Sequence, residues 1–103
     1  MKICNAFSLN MLAALPASVK VEEVSLTDAR NLAINGESCV GHASTAAVFQ
    51  DVLEVPVAMA RTTVSLVKGD TVLVGQYVGP RLEEGVTTLP EGATIKWLKV
   101  TVE

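Results

Sequence analysis

The sequence predicts an α+β (mixed α/β) domain: one mixed sheet of about five strands flanked by helices. Three observations lead there. The chain has 103 residues, enough for one core with no room for a second module, so residues 1–103 form a single unit. Half of them are apolar and the mean hydropathy is +0.41, which supplies ample material to bury. Short Val-rich runs alternate with Leu- or Ala-rich helical ones, and the chain then closes on consecutive Val-rich runs. With only Phe7, Phe49, Tyr77 and Trp97 as aromatics, the core falls to Val, Leu, Ala and Ile.

Lys2 to Asn5 reads as a first strand, ending in the turn Asn5-Ala6-Phe7. Ser8 suits an N-cap, and Met11, Leu12 and Leu15 give Leu9 to Leu15 a helical stripe that Pro16 stops. Val19 to Val24 alternates as a strand. Thr27 is placed to cap a short helix from Asp28 to Ile34, with Asn35-Gly36 as the turn after it. Ser38 to Gly41 is a brief strand leading into His42. Ala43 to Leu53 reads as a helix burying Val48, Phe49, Val52 and Leu53, with Pro56 beyond it. Thr62 to Val67 and Thr71 to Tyr77 read as a hairpin about Lys68-Gly69-Asp70. Breakers frame a loop from Gly79 to Gly85, Pro90-Glu91-Gly92 is a turn, and Thr94 to Val102 is the last strand.

A net charge of −3 and a pI near 5.1 argue against a protein that coats duplex DNA, which needs a dense basic stripe. They leave room for a small phosphate-bearing ligand, which needs only two or three placed cations. Cys4 and Cys39 lack CxxC spacing and no signal-peptide pattern precedes them; they read as reduced, buried small hydrophobes of a cytoplasmic protein. No apolar run is long enough to span a bilayer, so no membrane partner is expected. One histidine and no carboxylates at ligand spacing argue against a tight metal site, and no P-loop, GxGxxG or GxSxG implies a cofactor or an acyl-transfer serine. The high apolar content suggests one face covered by a second copy, as a homodimer.

His42 is the single histidine, in Gly41-His42-Ala43-Ser44-Thr45 at a strand-to-helix junction. Imidazole titrates near neutral pH, and a helix's first turn offers free N–H groups and a positive dipole end to a phosphate. Gly41 lets a ligand approach closely. The plain alternatives are a surface or hydrogen-bonded histidine and hydroxyls that merely cap the helix. Asn5-Ala6-Phe7-Ser8-Leu9-Asn10 offers amides and a hydroxyl for nucleobase or ribose, or ordinary turn and cap residues. Arg81-Leu82-Glu83-Glu84-Gly85 offers a guanidinium for phosphate and a carboxylate to orient an imidazole, or a solvated charged loop. Arg61 is a further phosphate partner or an edge-strand charge.

Taken in order, Asn5-Ala6-Phe7-Ser8-Leu9-Asn10-Met11-Leu12, Gly41-His42-Ala43-Ser44-Thr45 and Arg81-Leu82-Glu83-Glu84-Gly85 resemble the viral ring nuclease family over nearly the whole chain. That family consists of small anti-CRISPR proteins of archaeal viruses and bacteriophages, with cellular relatives, that degrade cyclic tetra-adenylate. The resemblance implies a homodimer binding one cyclic oligonucleotide across its two-fold axis. It assigns general-acid catalysis to His42, support of that histidine to Glu84, and ligand binding to Asn5, Ser8, Gly41, Ser44, Thr45 and Arg81. Arg61 aligns with a further family arginine, next to Ala60 where an asparagine is common. The implied reaction needs neither metal nor cofactor, since the ribose 2′-hydroxyl is a built-in nucleophile. Two cuts give linear di-adenylate ending in 2′,3′-cyclic phosphate, silencing a type III CRISPR response. Two rival expectations stand beside it: a sponge that binds the cyclic nucleotide without cutting it, and an interaction protein defined by its dimer face.

Overall fold

The computed structural model describes residues 1–103. Strands β1 (Lys2–Cys4), β2 (Val19–Val24), β3 (Glu37–Ser38), β4 (Thr71–Val78) and β5 (Thr94–Val102) form one sheet in the order β2-β5-β4-β1-β3. β3, β1 and β4 run parallel, while β5 is antiparallel to both β4 and β2. Helices α1 (Leu26–Ala33) and α2 (Ala43–Leu53) complete the domain. The α+β class and the five-stranded mixed sheet are those the sequence predicts.

Burial explains which strand sits where. β4 carries a nearly continuous buried run, Val72 to Gly75, as a strand covered on both faces must. β2, Val-Lys-Val-Glu-Glu-Val, keeps its charges in solvent at the sheet edge. On one face Ile3, Leu73 and Trp97 pack against Ala29 and Ala33 of α1 and Ala46, Phe49 and Leu53 of α2. On the other, Cys4, Val72, Val74, Val100 and Val102 pack under Val64 and Leu66, with Phe7, Met11 and Leu12 at the margin. The sheet is thus covered by helices on one side and by irregular chain on the other.

Four predicted elements come out differently. The helix over Leu9 to Leu15 is only a 3-10 turn, Leu9–Met11. Ser8 does cap it, its hydroxyl accepting from the Asn10 amide at 3.2 Å, but the backbone then pairs with Leu66. Ala13 N donates to Leu66 O at 2.9 Å and Leu66 N to Met11 O at 2.7 Å, which draws the chain out of helical geometry. The hairpin of Thr62 to Val67 with Thr71 to Tyr77 does not form, because β4 already has β1 and β5 on its two sides. The alternation in 62–67 is real, with Val64 and Leu66 buried between exposed neighbours, but that segment lies on the sheet and contributes only one bridge. α1 starts two residues earlier than predicted, capped by Ser25 rather than Thr27: the Ser25 hydroxyl accepts from Asp28 N at 3.1 Å. β3 is shifted to Glu37–Ser38, since the Glu37 amide donates to Met1 O, and the Cys39 amide to Ile3 O ends the pairing.

α2 matches its predicted bounds, Ala43–Leu53. Its far end is held by Arg30 of α1, whose Nε and Nη2 both donate to the Val52 carbonyl at 3.2 and 3.1 Å while Nη2 pairs with Glu54 at 3.1 Å. Midway, Phe49 meets Trp97 edge-on at 5.0 Å between ring centroids. Both cysteines are free thiols; Cys4 is buried as expected, whereas Cys39 is only half-buried beyond the short β3. Burial, reinforced by the neighbouring Cys39, pushes the Cys4 thiol from its ordinary 9.0 up to about 11. No helix is long and apolar enough to cross a membrane.

Candidate functional site

The three parallel strands β3, β1 and β4 all deliver their carboxyl ends to one end of the sheet, the end where open α/β sheets receive ligands. β3 runs through Val40 to His42 and α2, β1 runs into Asn5, and β4 runs into the loop of Arg81 and Glu84. On the helix-covered side of this end lies an open hollow of about 580 Å³, inside the range of ~300–1,000 Å³ that small-molecule sites occupy. His42, Ser44, Thr45, Arg61, Arg81 and Glu84 line it together.

His42 is the N-cap residue of α2, exposed to solvent, with extended backbone and no side-chain hydrogen bond to the helix. Ser44 and Thr45 are therefore inside the first turn and do not cap it. The Ser44 hydroxyl instead donates to the Glu83 carbonyl at 2.8 Å, tying the Arg81 loop to the helix. The contrast with α1 and the 3-10 turn is informative, since serine hydroxyls cap both of those. At α2 the amides of the first turn have neither an intrahelical partner nor a side-chain cap. They open on a hollow that also holds two arginines.

Arg61 donates from Nε to the Gly41 carbonyl at 3.1 Å, which fixes its guanidinium beside the residue preceding His42. Its stem lies 3.6 Å from where a Cβ on Gly41 would stand, an ordinary contact, so the arginine packs across the junction without requiring glycine there. The strand-like segment before Arg61 is held in place by Ala60 N donating to Val40 O at 2.8 Å. Arg81 and Glu84 are both exposed on the loop after β4. Glu84 shares the hollow with His42, without a hydrogen bond between them in the single chain. Two guanidiniums, an imidazole and open helix amides against one carboxylate make this a locally cationic site in a chain of net charge −3.

Asn5 and Ser8 are not in this hollow. Asn5 lines a second, largely apolar one on the opposite face of the sheet, with Phe7, Val74, Gln76 and Leu98, and Ser8 is occupied as the cap of the 3-10 turn. Within one chain, the GHAST and RLEEG segments converge and the NAFS segment stands beside them across the sheet. Tyr77 and Met59 also line the site hollow, and neither belongs to a motif in the sequence. In the sequence Tyr77 reads only as a strand residue; its position just before Gly79-Pro80 is the available signal. Nowhere do three His, Cys, Asp or Glu side chains converge as metal ligands would.

A family model described as STIV B116-like matches residues 1–97. Among solved structures, B116 of Sulfolobus turreted icosahedral virus (STIV) is similar in fold, with a TM-score of 0.81 and 24% sequence identity, covering 97% of each chain. No curated protein matches the chain by sequence.

Proposed function

The chain belongs to the STIV B116-like family, and on that premise we propose that it is a ring nuclease cleaving cyclic tetra-adenylate, thereby antagonising type III CRISPR immunity. The observation that carries the reading is the uncapped first turn of α2, grouped with His42, Arg61 and Arg81 around one hollow. Such a constellation suits a phosphodiester: the arginines and helix amides hold the non-bridging oxygens, and an exposed imidazole sits among them.

In this reading the 2′-oxygen of a bound ribose attacks the adjacent phosphorus. The P–O2′ bond forms, the P–O5′ bond breaks, and His42 gives its proton to the departing 5′-oxygen, regaining one from solvent. The 2′-hydroxyl proton leaves to water. Arg61, Arg81 and the amides of Ala43 to Thr45 stabilise the charge gathering on phosphorus, and holding the three atoms in line supplies the rest. Glu84 orients the imidazole. A hollow of about 580 Å³ takes part of a four-nucleotide ring, so a homodimer presenting two such hollows suits the symmetric ligand, with the NAFS segments contributing from the same end of each sheet. Two cuts then yield linear di-adenylate with 2′,3′-cyclic phosphate.

The test is incubation of the protein with labelled cyclic tetra-adenylate in EDTA, followed by denaturation and separation of products. Linear di-adenylate is expected. Recovery of intact ring from a tight complex would establish a sponge instead. The absence of both cleavage and any ligand-dependent rise in Tm would leave an interaction protein and end this reading.

A further inference from the structure

The geometry points to Tyr77 as a positioning residue that sets Arg81 through the backbone of its loop, an inference that rests on the ring-nuclease reading of this site. Tyr77 is the penultimate residue of β4, and its register opposite Ile95 fixes its backbone inside the sheet. From there the phenol donates to the Pro80 carbonyl at 2.6 Å, one residue ahead of Arg81. The chain between them is drawn tight. A Cβ on Gly79 would stand 2.9 Å from the Tyr77 hydroxyl oxygen and 2.6 Å from the Ala93 Cβ, so only glycine lets the loop fold back under the ring. At the other end of the same segment, Ser44 donates to the Glu83 carbonyl. Two hydroxyls, one from β4 and one from α2, thus bracket Arg81 and Leu82 by their backbone, and Pro80 removes further freedom in φ.

Both acceptors are loop carbonyls at the exposed rim. The one charged side chain carried between its ends is the Arg81 guanidinium. Preorganising that group spares the ligand the cost of ordering the loop. Tyr77 lines the same hollow as Arg81.

The experiment compares wild type, Tyr77→Phe, Arg81→Ala and the double variant. In ligand-free protein, nicking of the Arg81–Leu82 bond by trypsin is followed by mass spectrometry; cleavage of cyclic tetra-adenylate in EDTA gives kcat/KM. Tyr77→Phe keeps the ring, so Tm is expected to stay within a few degrees. Nicking after Arg81 should accelerate, and kcat/KM should fall about 3- to 10-fold, the size of one neutral hydrogen bond. In the Arg81→Ala background the same substitution should cause no further fall in kcat/KM, because its effect passes through the missing guanidinium. Equal falls in both backgrounds, or unchanged nicking, would overturn the assignment. If wild type neither binds nor cleaves the ring, the functional reading fails, and the nicking rate alone still decides whether Tyr77 holds the loop.

Discussion

Replacing Gly75 with alanine tests the packing that places α2 over the sheet. Gly75 lies directly opposite Trp97 in the β4–β5 register, under the edge-on pair formed by Trp97 and Phe49. A Cβ there would be 2.5 Å from Phe49 Cζ, 2.8 Å from Phe49 Cε2 and 2.6 Å from Trp97 Cζ3. Ordinary carbon contacts are ~3.5–4.0 Å, so both rings must retreat by about 1 Å. They have little space to do so, since Phe49 is 0% and Trp97 4% exposed. Overpacking of this kind costs ~1–3 kcal/mol, offset by ~0.4–1 kcal/mol from the stiffer unfolded chain, leaving a net loss of about 1–2 kcal/mol. In a domain of this size that lowers Tm by roughly 5–15 °C. Urea unfolding followed by the fluorescence of Trp97, the single tryptophan, measures it directly. In a Phe49→Leu background, which removes the crowding ring atoms, the alanine should cost less by more than ~0.5 kcal/mol. A cost under about 0.5 kcal/mol, or the same cost in both backgrounds, would refute the steric reasoning.

Three further outcomes follow from the structure. On the proposed reaction, His42→Ala should slow ring cleavage by ~10²–10⁴-fold while leaving affinity and Tm nearly unchanged, because the side chain is exposed and its proposed task is to protonate the leaving oxygen; near-normal cleavage would remove it from the reaction. Ser25→Ala should cost ~1 kcal/mol in chemical denaturation and Thr27→Ala under ~0.5 kcal/mol, since Ser25 is the residue that caps α1. The Cys4 thiol, raised to about 11 by burial, contributes stability that is complete below its ordinary 9.0 and lost as pH rises towards 11. Wild type should therefore lose about 2–3 kcal/mol more than Cys4→Ala across that interval, and parallel pH profiles would show that the thiol is not held neutral.

The elements that the sequence made legible are those whose own run is long enough to set their type, even though their partners lie far along the chain, as β2 does for β5. α2 announces itself through helical spacing of Val48, Phe49 and Leu53, and β5 through a long Val- and Ile-bearing run, so both match their predicted bounds. The segments that misled have a correct pattern with a distant partner. Thr62 to Val67 alternates like a strand, yet nothing in its own residues says that β4 will be taken on both sides. Leu9 to Leu15 carries a helical stripe, but pairing with Leu66, far along the chain, outweighs so short a helix. At α1 two hydroxyls compete for one cap, and Ser25 wins with Asp28 three residues on. For the site, the GHAST and RLEEG segments lie side by side, joined where the Ser44 hydroxyl donates to the Glu83 carbonyl. That Asn5 opens on the opposite face follows from where β1 ends in the sheet, which a linear motif does not encode.

The grip of Arg30 on the end of α2 has a consequence for how ligand is met. A guanidinium shared between the Val52 carbonyl and Glu54 ties α2 to α1 at the end remote from the hollow. On the proposed reading, the amides of Ala43 to Thr45 are expected to keep their position when an anion binds. Capture there should leave the backbone where it was, and calorimetry should record a modest heat-capacity change, with no signature of a segment folding as it binds.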